Sequence, residues 1–160
     1  MASQKQIREK IEQFEKVYSE SPWYGDSIQQ IINQVTEEAA FWQPTKNAHS
    51  IAQIVWHMVY WRQALIKRLE GDVAYKPSMK SEDNWSINEK LKNNSWEKIK
   101  ALLAESQEKL ITLLKKQDDS LLDKVYSEKA SYLDIITGIF QHDLYHLGQI
   151  AYLKSIHTGK

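Results

Sequence analysis

Apolar residues recur along this chain at helical spacing. Ile7, Ile11, Phe14 and Tyr18 stand 4, 3 and 4 places apart, which puts them on one face of an α-helix over residues 3–19. Ser3 and Gln6 have the spacing of a capping box at its start. Pro22 and Gly25 break the pattern, with Trp23 and Tyr24 in the bend. A short helix is expected over 27–34, with Ile28, Ile31, Ile32 and Val35 inward. A further helical turn from Glu37 to Trp42 ends before Pro44, and residues 45–48 read as loop.

Ser50 opens a second long helix, with Gln53 as its capping-box partner. It runs to Leu69, where Gly71 suits a left-handed C-terminal cap. Ile54, Met58, Trp61 and Leu65 face inward, and His57, one turn from both Ile54 and Trp61, leans with them. Residues 72–81 contain Pro77 and read as a loop lying over the helices; Ser86 and Glu89 suit the start of a short helical turn. Ser95 suits the N-cap of a third long helix over 96–117, with Ile99, Leu102, Leu103, Leu110, Leu113 and Leu114 as its apolar positions. Residues 117–129 read as a connection. Ser131 with Asp134 starts the fourth long helix, 132–156, on which Ile135, Ile139, His142, His146 and Gln149 share a face. Gly138 and Gly148 lie inside it. Each costs about 1 kcal/mol against alanine in a helix interior, so each is expected to permit a close helix contact. Four long amphipathic segments joined by loops predict an all-α four-helix bundle. A chain of 160 residues suits a single domain, 1–160, with a real core.

Composition narrows the function classes. Lys and Arg number 21, as do Asp and Glu, so the formal net charge is zero. There is no basic field to attract nucleic acid, and no nucleic-acid partner is expected. The absence of cysteine excludes disulfides, iron–sulfur clusters, thiolate metal sites and cysteine nucleophiles. The apolar stretch Ser131–Gln141 is too short to cross a bilayer. The polar start Met1–Gln6 leads into no apolar signal core, so no membrane association and a cytoplasmic location are expected.

The candidate chemistry lies in the histidines. Four residues of helix advance about 400°, so the rings of His142 and His146 point within roughly 40° of each other, about 6 Å apart along the axis. Two neutral imidazoles on one apolar face each bring a donor and an acceptor that need partners. A divalent ion would take one nitrogen from each. Asp143 stands where the His-Glu-x-x-His signature of zinc proteases has its glutamate, so that signature is not met. His57 is the expected third ligand. Gln53 lies one turn before His57 and Gln149 one turn after His146. Each can hydrogen-bond a ligating ring or a bound water, or serve only the helix cap and the packing. Asp143 is expected at the surface or as an interhelix partner, His49 in a structural hydrogen bond, and His157 in solvent. Trp56, Tyr60, Trp61 and Tyr145 read as packing, with a pocket for an apolar substrate as the alternative.

Four stretches in order resemble the DinB-like (DinB/YfiT-like) family of metal-dependent enzymes. They are Pro22–Ile28, Pro44 with His49–Trp61, Leu69–Asp72, and Gln141–Ile150. The resemblance implies an up-down-down-up four-helix bundle. It also implies a divalent ion, zinc or nickel, held by one histidine of the second long helix and two of the fourth, here His57, His142 and His146. It further implies a homodimer and a small-molecule substrate, since relatives include S-transferases that use low-molecular-weight thiols and a thiol-dependent isomerase. Three histidines with no fourth protein ligand leave positions open on a metal. The expected function is therefore activation of water or of such a thiol, as a hydrolase or thiol S-transferase; no residue stands out as a general base. The alternatives are a non-catalytic metal-binding or stress-response protein, and a bundle whose histidines are structural.

Overall fold

The structure, a computed structural model, describes residues 3–159. Met1, Ala2 and Lys160, the ends of the expected 1–160 domain and part of the polar N-terminus, lie outside the described residues. In chain order the helices are α1 (Lys5–Tyr18), α2 (Ile28–Asn33), α3 (Glu37–Phe41), α4 (Ile51–Leu69), α5 (Asn88–Lys92), α6 (Ser95–Leu114) and α7 (Tyr132–Thr158). The protein is predominantly helical, and among the described residues no helix is long and apolar enough to cross a membrane.

Local signals set most of the helix ends. Before α4 the Ser50 hydroxyl accepts from the Gln53 backbone N–H at 3.2 Å, and Gln53 Oε1 accepts from the Ser50 N–H at 3.0 Å. Ser131 and Asp134 form the same reciprocal pair before α7. Gly71 has φ +98° just past α4, and the Asp72 N–H returns to the Lys67 carbonyl at 3.0 Å, as a left-handed terminus requires. Ser95, expected as the N-cap, is instead the first residue of α6, whose N-cap is Asn94 without a side-chain bond; Ser95 has φ +59°, and its hydroxyl accepts from the Lys98 N–H at 3.4 Å. α6 ends at Leu114, short of residue 117, while α7 continues past 156 to Thr158.

Several expectations are corrected by tertiary contacts. Ser3 and Gln6 form no capping box on α1, whose N-cap is Gln4 without a side-chain bond. Asp119 does that work from across the fold: its Oδ1 accepts from the Ile7 N–H at 3.0 Å, and its own N–H donates to the Ser3 carbonyl at 2.8 Å. A distant carboxylate thus satisfies a free N–H of the first turn. Ser86 and Glu89 do not cap α5; its N-cap is Ile87, and the Ser86 carbonyl instead accepts from Gln53 Nε2. Residues 117–129 are more ordered than a connection. They hold a 3₁₀ turn (Asp119–Leu121) and β1 (Val125–Ser127), which pairs antiparallel with β2 (Ala130–Ser131). Strands this short leave no readable alternation. Gly138 and Gly148 permit no close helix contact, since a Cβ at either would meet nothing within 4 Å.

The core has two parts. One gathers Ile28, Ile31, Ile51, Met58, Trp96 and Leu147 with their neighbours; the other gathers Ile7, Phe14, Leu65, Leu110, Ile136 and Ile139. α4 touches both α6 and α7, and α1 packs against the same two helices. Met58 and Leu147 belong to one part, Leu65 and Ile139 to the other. His57, His142 and His146 therefore sit on α4 and α7 where the two apolar parts meet.

Candidate metal centre

The loop before α5 is pinned to α4 by polar tips of otherwise apolar side chains. Trp56 Nε1 donates to the Asp83 carbonyl at 2.7 Å, Tyr60 Oη to the Ser78 carbonyl at 3.0 Å, and Trp61 Nε1 to Asn84 Oδ1 at 3.0 Å. Gln53 Nε2 adds a bond to the Ser86 carbonyl at 3.0 Å. These anchors explain the aromatic density around residue 57. They fix the Asn84 carbonyl 3.1 Å from His57 Nδ1 and lay the Trp85 ring flat on the His57 ring, centroids 3.7 Å apart.

A carbonyl can only accept, so His57 Nδ1 carries the proton and Nε2 carries a lone pair. His146 is set the same way from α7: its Nδ1 donates to Gln149 Oε1 at 2.6 Å. Both bare Nε2 atoms face one atom, His142 Nε2, at 3.0 Å from His57 and 3.1 Å from His146. A single proton on His142 Nε2 can serve one neighbour and leaves the other lone pair unanswered. A cation among the three nitrogens answers all of them. Nitrogens each bound about 2.0–2.1 Å from one ion stand roughly 3 Å apart, which is the observed spacing. The residues present therefore fit a divalent metal ion. His142 Nδ1, by contrast, is buried without a partner.

Burial also sets the protonation state. It holds His57 down to about 4, against the Asn84 carbonyl, which favours the charged ring. Burial and then the neighbouring His146 and His57 hold His142 down to about 3. Burial lowers His146 as well, with Gln149 opposing. All three rings are neutral near pH 7, the form that ligates a metal.

Next to His142, Asp143 faces away into the helix packing. Arg62 of α4 donates from Nε and Nη2 to Asp143 Oδ2, at 3.0 and 2.7 Å, and from Nη1 to the Ser106 hydroxyl of α6 at 3.3 Å. Both charged side chains are 1 % exposed. Burial pushes the Asp143 carboxyl up, and Arg62 opposes the push. Removing one member of such a pair costs about 3–5 kcal/mol, because it strands the other charge. Asp143 is thus an interhelix partner joining three helices beside the cluster.

The remaining singled-out residues fall elsewhere. Gln149 touches a histidine; Gln53 spends its amide on the α4 cap and the Ser86 carbonyl, with no bond to a histidine among the described residues. His49 stacks on the outer face of Trp85 at 3.8 Å, and makes no hydrogen bond of the kind expected of it among the described residues. His157 is half-buried with its ring against Trp42 at 5.2 Å, not free in solvent. Tyr145 is exposed. Asp143 is interhelix as expected, but sequence reasoning missed its partner Arg62, 81 positions away, and missed Asn84 and Trp85, which lie in a loop without periodicity.

A cavity of about 710 Å³ opens beside the cluster and meets it at His142. Its apolar walls include Trp61, Ile135, Ile139 and Tyr126.

Helical architecture and a buried three-histidine cluster compatible with metal binding define the class of protein. The model of the DinB superfamily matches residues 25–150, so the chain belongs to that superfamily. Among the curated proteins, a search finds no match.

Proposed function

We propose that this DinB-superfamily chain is a metal-dependent enzyme whose His57, His142 and His146 hold one divalent ion, zinc or nickel. The proposed reaction is attack by water or a low-molecular-weight thiol on a small electrophile, as in a hydrolase or thiol S-transferase. The observation that carries the reading is the convergence of two bare Nε2 atoms on His142 Nε2 at 3.0 and 3.1 Å. When bound by three histidines, such an ion keeps open positions and lowers the pKa of a water or thiol toward neutrality. The chain's own part is to hold the nitrogens bare. The Asn84 carbonyl and Gln149 keep the protons on Nδ1, and the apolar surroundings keep the rings uncharged. With no cysteine in the chain, a thiol would arrive as a cosubstrate.

Further proposals accompany this reading: the bundle topology and the homodimer from the family, the single domain from the chain length, and the cytoplasmic location from the polar N-terminus. The long helices α1, α4, α6 and α7 form an up-down-down-up bundle within one domain. Supporting this, the pairs Arg62–Ser106 and Glu70–Lys109 advance together along α4 and α6. His57 meets His142, whereas Arg68, further along α4, shares a cavity with Ile135, further back on α7. The protein is also proposed to be a homodimer and to act in the cytoplasm.

One observation favours a second reading, a non-catalytic metal-binding protein. Asp143, the carboxylate beside the histidines, is committed to Arg62 and is not free as a base. Assays of the metal-loaded protein with several low-molecular-weight thiols and electrophiles, and with water alone, separate the two. The enzyme reading expects turnover that His142→Ala abolishes. Full metal occupancy with no turnover under any of these conditions would leave the binding protein.

A further inference from the structure

We propose that the cavity beside His142 seats a small organic acid, a flat apolar body carrying one carboxylate. This substrate class rests on reading the histidines as the reactive centre. At about 710 Å³ the cavity falls within the range of small-molecule sites, roughly 300–1,000 Å³. Trp61, Tyr75 and Tyr126 give it aromatic surface for a flat body.

The charges around it are one-sided. Arg68, Lys76 and Lys129 line the cavity against a single carboxylate, Glu128, in a chain whose formal net charge is zero. None of the three cations has an ion-pair partner among the described residues. Arg68 is the best held. Its guanidinium lies 4.5 Å from the Tyr126 ring centroid and donates to the Val73 and Tyr126 carbonyls. Its Nε is buried without a partner. Carbonyl oxygens orient a guanidinium without neutralising it, so its charge remains available to an anion.

Helix geometry gives the length of the ligand. Arg68 lies eleven residues beyond His57 on α4, about 16 Å along the axis, and Ile135 lies seven residues before His142 on α7, about 10 Å. Along the helix axes the cavity therefore extends roughly 10–16 Å from the histidine positions toward the Arg68 end. A carboxylate at the Arg68 end and a reacting group at His142 call for an elongated body between them.

Calorimetric titration of the full-length protein with biphenylacetate and with its neutral amide tests this. Both are measured on protein as purified and after metal removal, because a carboxylate can also ligate a metal. The expected result is that the acid binds about fivefold tighter than the amide in both preparations. That preference should shrink as ionic strength rises from about 0.01 to about 0.15 M. It should fall most in Arg68→Met, which also loses the bonds to Val73 and Tyr126. The deciding variant is therefore Lys76→Met with Lys129→Met, at two exposed positions, where the preference should fall while the circular dichroism spectrum stays unchanged. Equal binding of acid and amide to the metal-free protein overturns the proposal. So do absence of binding by either probe, a preference confined to metal-loaded protein, and a preference untouched in the double lysine variant. Failure of the metal reading would show separately, as no metal uptake with the acid preference of the metal-free protein intact.

Discussion

A single hydrogen bond decides what His146 can do. With Gln149 Oε1 at 2.6 Å from Nδ1, the ring keeps its proton on that side and turns a lone pair toward His142. His57 is fixed by a backbone carbonyl, which no side-chain substitution at residue 84 removes directly. Gln149 is therefore the position where tautomer control can be tested. Gln149→Leu, close in shape but unable to accept, should weaken zinc affinity by about 10–100-fold, measured by competition with a chromogenic chelator. Affinity equal to the natural chain's would mean that Gln149 only packs. His142 lacks such a partner on Nδ1, so its ring is held by the cavity walls and by its two neighbours.

At the scale of the element, α7 carries two of the three candidate ligands and also Gly148, exposed and with open space where a Cβ would stand. Nothing in the structure uses that glycine's smallness, and its backbone is not in the left-handed region. Gly148→Ala should raise stability by about 1 kcal/mol, read as a higher urea midpoint with an unchanged slope. A drop in the midpoint would reveal a contact to this face of α7 that the isolated chain does not show. The long helices were legible because their apolar residues repeat at the helical period, and the His142–His146 pair because both lie on one helix. Asp119 as the cap of α1 was not legible, since its partner Ile7 is 112 positions away. Nor was the loop with Asn84 and Trp85, which takes its shape from Trp56, Tyr60 and Trp61 across the gap. Periodicity records which face is buried, and says nothing about which distant polar group meets it.

For the whole molecule, three neutral imidazoles between two halves of the core make folding sensitive to acid. His57 and His142 ordinarily titrate near 6.5, and in the fold they are held down to about 4 and about 3. Between those limits the unfolded chain binds more protons than the folded one, so stability rises with pH. The penalty is absent above the unfolded value and complete below the folded values. The metal-free protein should therefore lose stability as pH falls from about 7 to about 4.5, followed by urea unfolding at each pH. This window lies above the one where the depressed carboxyls of Asp119 and Asp134 contribute. The Asp143 carboxyl, pushed up by burial, titrates in the opposite sense, so a stability that does not fall across the window would contradict a net penalty from the buried neutral rings. The most direct measurement is elemental analysis of the full-length protein purified without a histidine tag, beside His142→Ala. One equivalent of zinc or nickel per chain, lost in the variant, is the expected result. Protein that carries no metal and takes up neither ion when supplied, or a variant with unchanged stoichiometry, would contradict a metal centre at His57, His142 and His146.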